Sequence, residues 1–542
     1  MRGLTLLLTM GLTAPLCAQV IGKQLQEQPG ANWLHYNGSY DSRRATTLDQ
    51  VNTQTVSNLT PAWVFHVPGA GNLQCVPIVV DGVMYVTQPN AVYALDAASG
   101  RSIWEFHHTG PTADRGANRG VAVYGDKVFF STPDAVLIAL SAATGNELWE
   151  KKLAEPEEGY WSPAAPLIVK GKVIVGVAPG DRGLNGFLDA YDAETGKRLW
   201  RWDSIPKPGV AGNETWAGDS WKHAGGNTWL TQSYDPELNL LYWGIGNPSP
   251  DFNGDMRPGD NLFTESVVAL NPDDGTIRWH FQFTPHDVMD WDAVELPVLV
   301  DASFQGKPRK LMLHADRNGF YYVLDRTNGE FLHGSPFVQH LNWASGLTPE
   351  GRPIRVPGVT PSLLGTKVCP SSIGATNWMS PTFNQQTGLF YVVALEGCGT
   401  ASISTETFRP GGFQYRATGD VLLRDASWKV YVRALDMATG KVVWENERVG
   451  SIGLGGGLLS AGGLVFSGEL NGQFIAYDAK TGKTMWHFNT GQSINSQPMS
   501  YAVEGKQYIG LSTGADIFSF GLFEPQKPLD LRTVPVAKAG KP

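Results

Sequence analysis

The sequence predicts an all-β protein, an eight-bladed β-propeller built from repeats most of which carry a docking tryptophan. The first observation is internal repetition. The segment Ala94-Leu95-Asp96-Ala97-Ala98-Ser99-Gly100-Arg101-Ser102-Ile103-Trp104 recurs as Ala139 to Trp149, Ala190 to Trp200, Ala269 to Trp279, Ala434 to Trp444 and Ala476 to Trp486. Two worn copies follow the same pattern, Val323 to Gly329 without the tryptophan and Thr382 to Gly388. Six clear and two worn copies give eight four-stranded units of about 60 residues each. The second observation is composition. The 542 residues include 63 Gly, 35 Pro, 18 Trp, 17 Tyr and 23 Phe, which suits many short strands joined by tight turns. The third is that 42% of the chain is hydrophobic and only 17% charged, against a usual charged share of about 25%. Such a chain buries a large core, so disorder is excluded over most of its length.

Taken in order, the chain starts with Met1-Arg2-Gly3 and the apolar run Leu4 to Leu16. That run is too short to span a bilayer and reads as a secretory signal over residues 1–18. The propeller is expected over 19–525. Within each unit a strand ends at Asp or Asn, which caps a tight turn, Gly supplies the positive φ, and the next strand sets Trp between neighbouring units. Before the first copy, Gly82 to Val86 and Ala91 to Leu95 read as a hairpin around Gln88-Pro89-Asn90. Residues 203–222 and 343–372 lack the repeat and read as loops on one face. The tail 526–542 is Pro- and Lys-rich. No other apolar run reaches spanning length, so membrane insertion is not expected. A net charge of −9 gives no phosphate-tracking surface, and nucleic acid is not expected as a partner. Of four cysteines, Cys17 leaves with the signal, Cys369 and Cys398 flank one strand-turn segment and can pair, and Cys75 is then a buried thiol. No Cys-x-x-Cys-His occurs, so the chain carries no c-type haem.

These repeats resemble the tryptophan-docking motifs of pyrroloquinoline quinone (PQQ) dehydrogenases, with Thr47 to Asn52 and Leu59 to Trp63 similar to that family's opening strand. Repeats alone do not make an enzyme, since envelope scaffolds use similar blades. The deciding stretch is Thr284-Pro285-His286-Asp287-Val288-Met289-Asp290-Trp291-Asp292, which resembles the family's Thr-Pro-x-Asp-x-x-Asp segment. The resemblance implies that Asp290 is the catalytic base; alcohol oxidation by hydride removal is easier as the hydroxyl proton leaves, and this needs a carboxylate beside the substrate. It implies that Asp292 marks the lanthanide-dependent type, with calcium as the alternative metal. A trivalent ion gains from one more hard anionic oxygen, and on an extended chain Asp292 shares a side with Asp290. Asn247 in Gly246-Asn247-Pro248 and Asp181 in Gly180-Asp181-Arg182 complete the implied metal set, Asp181 standing where the family carries Glu, one methylene longer.

For the quinone, the resemblance implies Trp229 as the stacking floor, Arg119 and Thr132 as donors to its carboxylates, Arg317 as donor to its reactive oxygens, and Asn377 as a further contact. Gln74 stands where a Glu usually meets the cofactor. Ala113 and Asp114 stand where many members have adjacent cysteines, and Gly455 where an active-site Trp is common, which widens the substrate entrance. The Gly510 to Gly514 match to a nucleophile elbow lacks a following helix. The function implied is a periplasmic or secreted PQQ-dependent alcohol dehydrogenase acting on a small alcohol. Its electrons pass to an external acceptor, a c-type cytochrome. Alternatives are a sugar, polyol or polymer-hydroxyl dehydrogenase, or a non-catalytic envelope scaffold. Oligomeric state is open, with a homodimer among the expectations.

Overall fold

The computed structural model describes residues 20, 22–110, 116–449 and 453–523. The expected signal at 1–18, the tail at 526–542 and the positions Ala113 and Asp114 lie outside the described residues. Eight antiparallel sheets of four strands each make up the body, joined by one two-stranded and one three-stranded sheet. The first blade runs through Ile78–Val80, Val83–Gln88, Ala91–Asp96 and Ser102–His107, each strand bonded to the next in sequence. Its inner strand is wholly buried, and its outer strand alternates between exposed and half-buried residues. Inner strands of neighbouring blades touch, as Ala122–Tyr124 does Leu167–Val169 and Thr382–Asn384 does Leu458–Ala461, so the sheets are set radially around a common axis.

The last blade is closed by the first strand. Leu59–His66 pairs antiparallel with Asp516–Leu522, outside Lys506–Ser512 and Met499–Val503. This closure ties the two ends of the described chain together in one sheet and so locks the ring. The Gly510 to Gly514 match falls where one strand ends before the next, with no helix following.

The docking turns show why glycine recurs. Gly100 has φ +72, and its amide donates to the Asp96 carbonyl at 2.8 Å. A Cβ at Gly100 would lie 2.5 Å from the Trp63 ring of the neighbouring blade, and one at Gly145 would lie 2.5 Å from Trp104. The same holds for Gly196 on Trp149, Gly275 on Trp200, Gly329 on Trp279 and Gly482 on Trp444. Glycine is therefore required by the turn and again by the indole that lies on it. The indoles of Trp63, Trp104, Trp200 and Trp444 also donate to carbonyls of the next blade at 3.0–3.1 Å.

One unit of the repeat count is assigned differently by the structure. Thr382 to Gly388 is not a docking turn: it joins the first two strands of the sixth blade, and a Cβ on Gly388 would meet nothing within 4 Å. The docking turn of that blade is Asp436 to Gly440. The eighth blade has no copy, and its outer strand, with Trp63, comes from the N-terminal side of the chain.

The region 343–372 is more than loop. Ala344–Leu347 pairs with Pro353–Arg355, and Thr366–Val368 pairs with Cys398–Ile403, which pairs in turn with Thr418–Leu423. The last two strands belong to an insertion within the sixth blade that the repeat pattern does not reveal. A Cys369–Cys398 disulfide ties it to the preceding excursion, and Cys75 is free and buried. Among the described residues no helix is long and apolar enough to cross a membrane.

Candidate active site

In a four-stranded meander, the lead-in to the first strand and the turn between the second and third lie at the same end of the sheet. Gln74, Arg119, Trp229, Asp290, Asp292, Asn377 and Gly455 all precede the first strand of a blade. Thr132, Asp181, Asn247 and Arg317 lie between second and third strands. Positions spread over more than half of the chain thus gather at one end of the propeller, opposite the docking turns. A cavity of about 410 Å³ opens there, lined by Arg119, Asp181, Trp229, Asp290, Asp292 and Arg317 among others.

Three carboxylates converge at this cavity. Asp181, Asp251 and Asp290 each present an oxygen within 4.8 Å of the other two. Burial, and after it the negative charge of Asp181, push the carboxyls of Asp251 and Asp290 well above the usual carboxylate range. Arg416 answers part of this charge: its Nε donates to Asp251 at 2.6 Å and its Nη2 to Asp290 at 2.9 Å. Both Asp251 and Arg416 escaped the sequence reading. Asp251 lies four residues beyond Asn247, a spacing that could have drawn attention. Arg416 sits in the insertion, and nothing in the repeat points to it.

Asn247 is fully buried, and its amide joins Asn227 to Asp251, with both contacts at 3.0 Å. Asp292 stands outside the three-carboxylate group. Its oxygens accept from the Asn247 backbone amide at 2.7 Å, from Arg317 Nη1 at 2.9 Å and from the Trp229 indole at 3.3 Å. The chain between Asp290 and Asp292 is not extended, because Asp290 has φ +60. The two side chains still line one cavity, but each pairs with a different arginine. Gly246 makes room for this: a Cβ there would lie 2.1 Å from Asp292 Oδ1.

Across the cavity the Arg119 guanidinium lies 4.9 Å from the Trp229 ring and 4.6 Å from that of Trp378. It is 5% exposed, its Nε and Nη1 have no hydrogen-bond partner among the described residues, and burial pulls its pKa down to about 10. The buried Gln74 Oε1 also has no partner among the described residues. A buried cation with idle donors beside two indole faces fits a planar polyanion, and three converging carboxylates fit a hard multivalent cation. Two of the sequence candidates are engaged elsewhere. The Thr132 hydroxyl bonds Asp134 and the Val136 carbonyl within its own turn, and Asn377 bonds the Ile373 carbonyl and the Trp378 amide. At Gly455, φ is +73 and a Cβ would come within 2.9 Å of the Gly468 carbonyl oxygen, so this backbone excludes a side chain.

The domain family described as "PQQ: Glucose/ethanol/alcohol dehydrogenase, beta-propeller domain" matches residues 33–335 and 446–509. A quinoprotein alcohol dehydrogenase of Pseudomonas putida is 38% identical, over 90% of this chain and 87% of its own length. A lanthanide-dependent methanol dehydrogenase of Methylorubrum extorquens is 36% identical, over 88% of this chain and 85% of its own. A solved europium-containing methanol dehydrogenase superposes with a TM-score of 0.85 at 32% identity, covering 92% of this chain and 99% of that one. The chain belongs to the PQQ-dependent glucose, ethanol and alcohol dehydrogenase family of β-propellers.

Proposed function

We propose that the chain is an exported, periplasmic or secreted alcohol dehydrogenase that uses PQQ and a lanthanide ion. The observation that carries this is one cavity lined by Asp181, Asp290 and Arg119, with buried Asp251 completing the carboxylate group and Arg119 set between Trp229 and Trp378. Asp181, Asn247, Asp251, Asp290 and Asp292 would hold the metal; Trp229, Arg119, Gln74 and Arg317 would hold the quinone, with Thr132 and Asn377 behind them. Bound there, PQQ supplies the acceptor for the hydride of the alcohol carbon, and the metal supplies Lewis-acid polarisation. Asp290 would take the hydroxyl proton; burial and the charge of Asp181 hold its carboxyl above the usual range, and a cation bound beside it would favour the ionised base. Arg317, held by Asp292 and the Ser372 carbonyl, keeps a fixed positive charge where negative charge develops. Four carboxylates, with Asp292, favour a trivalent ion over Ca²⁺. Electrons would pass to an external acceptor, a small c-type cytochrome. The glycine at 455 favours a wider substrate, a sugar or polyol, as the second reading.

The test is dye-linked alcohol oxidation by the full chain reconstituted with PQQ and either La³⁺ or Ca²⁺. Activity with La³⁺ supports the proposal, and activity with Ca²⁺ alone removes the lanthanide part. Silence with both metals, across primary alcohols and polyols and with no PQQ retained, contradicts it.

A further inference from the structure

A second group of metal-ligating side chains lies inside the fifth blade's approach to the cavity and takes no part in the site above. Glu295, His314 and Asp316 each present a ligand atom within 4.8 Å of the other two, and they are 3%, 1% and 0% exposed. Glu295 lies three residues beyond Asp292, and Asp316 directly precedes Arg317, so the same two segments furnish both groups. His314 is held firmly: its ring stacks on Phe283 with centroids 4.2 Å apart, and its Nε2 meets Asp316 Oδ2 at 3.1 Å.

Charge and hydrogen bonding in this interior are unbalanced. Among the described residues, neither oxygen of Glu295 accepts a hydrogen bond from another residue, nor does either oxygen of the fully buried Glu265 nearby. His314 Nδ1 also lacks a partner among them. Arg317, the cation facing this group, gives its Nη1 to Asp292 and its Nη2 to the Ser372 carbonyl, leaves its Nε without a partner among the described residues, and forms no ion pair with Glu295 or Glu265. Arg257 is spent on backbone carbonyls and Asn261. Burying carboxylates without a partner is unfavourable, and a cation bound among them offsets that penalty.

We infer that Glu295, His314 and Asp316 form a buried binding site for a divalent transition metal of the zinc class, separate from the cavity of Asp181, Asp251 and Asp290. Two carboxylates and one imidazole are the donor set that suits Zn²⁺ and disfavours the all-oxygen preference of Ca²⁺ or a lanthanide. Its position behind Arg317 places a fixed positive charge under the residue that pairs with Asp292. The inference stands whether or not the chain takes PQQ.

The experiment equilibrates the full-length protein with ZnCl₂, removes free metal by desalting, and measures retained zinc by mass spectrometry and its ligands by X-ray absorption at the zinc edge. One retained equivalent with an imidazole signature is expected. Glu295→Gln keeps the side chain's volume and removes its charge, and should weaken retention roughly tenfold or more; His314→Gln should abolish the imidazole signature. Asp181→Asn, in the other carboxylate group, should leave the zinc in place. Circular dichroism confirms that each variant is folded, and a variant that unfolds is replaced by the other. No zinc retained by the wild type, zinc retained equally by E295Q and H314Q, or zinc lost in D181N alone would each overturn the assignment. So would an infrared protonated-carboxyl band that disappears in E295Q while zinc stays absent, because Glu295 would then be neutralised by a proton.

Discussion

Replacing Arg119 with methionine should move stability and cofactor binding in opposite directions. In the free protein the guanidinium is buried with two idle donors, and burial draws its pKa from 12.5 to about 10. That shift corresponds to about 3 kcal/mol against the charged form. The Trp229 and Trp378 faces return about 1–2 kcal/mol. Methionine keeps most of the length and contact without the charge, so the PQQ-free R119M protein should be more stable by about 1–2 kcal/mol. Toward a carboxylate of the quinone the sign reverses. Two charge-assisted hydrogen bonds at about 1.5–3 kcal/mol each are lost, which weakens binding roughly a hundredfold or more. Calorimetric melting of the PQQ-free protein gives the first quantity, and equilibrium titration with PQQ followed by its absorbance gives the second. A variant that melts lower and binds PQQ as tightly as the wild type would refute the reasoning, because Arg119 would then be a structural cation with no ligand to meet.

Asp290→Asn should lower the turnover of the reconstituted enzyme roughly a hundred- to ten-thousand-fold while PQQ absorbance is retained; an unchanged turnover would remove Asp290 as the base. Gly145→Ala places a methyl 2.5 Å from the Trp104 ring at φ +73, and should cost about 2–5 kcal/mol. Gly388→Ala, at φ +68 with open space, should cost only about 1–2 kcal/mol; equal melting shifts would contradict the docking account. His35 is buried against the Leu25 carbonyl, with burial, the largest influence, pulling its pKa from 6.5 to about 4 despite that bond and the charge of Asp41. Between pH 6.5 and 4 the unfolded chain binds the proton that the folded one refuses, so about 3 kcal/mol of stability is lost as pH falls through that window. His35→Gln should show a shallower decline in melting temperature over the same range.

The docking turns were legible because each glycine answers two demands at once, a positive φ and an indole resting on it, so the pattern tolerates little drift. Thr382 to Gly388 mimics the turn chemistry without the indole, and only the packing separates the two. The eighth blade has no local signature, since its outer strand comes from the opposite end of the chain and Leu59 pairs with Leu522. At the site, Arg119, Trp229, Asp290 and Arg317 were found through short motifs that survive as contiguous sequence. Asp251 reads as a turn residue in Pro250-Asp251, and Arg416 belongs to an insertion with no counterpart in the repeat. Both matter only once folding brings three carboxylates within a few ångströms; the four-residue step from Asn247 to Asp251 is the one trace of this in the sequence.

If the cavity takes a planar quinone over Trp229 and a lanthanide among the gathered carboxylates, anomalous diffraction at a lanthanide edge from crystals of the full chain grown with PQQ and the metal will show it. A single strong peak bounded by Asp181, Asp251, Asp290 and Asp292 is expected, with ring density against Trp229 and a carboxylate on Arg119. A peak elsewhere, or ring density absent from the Trp229 face, would contradict it.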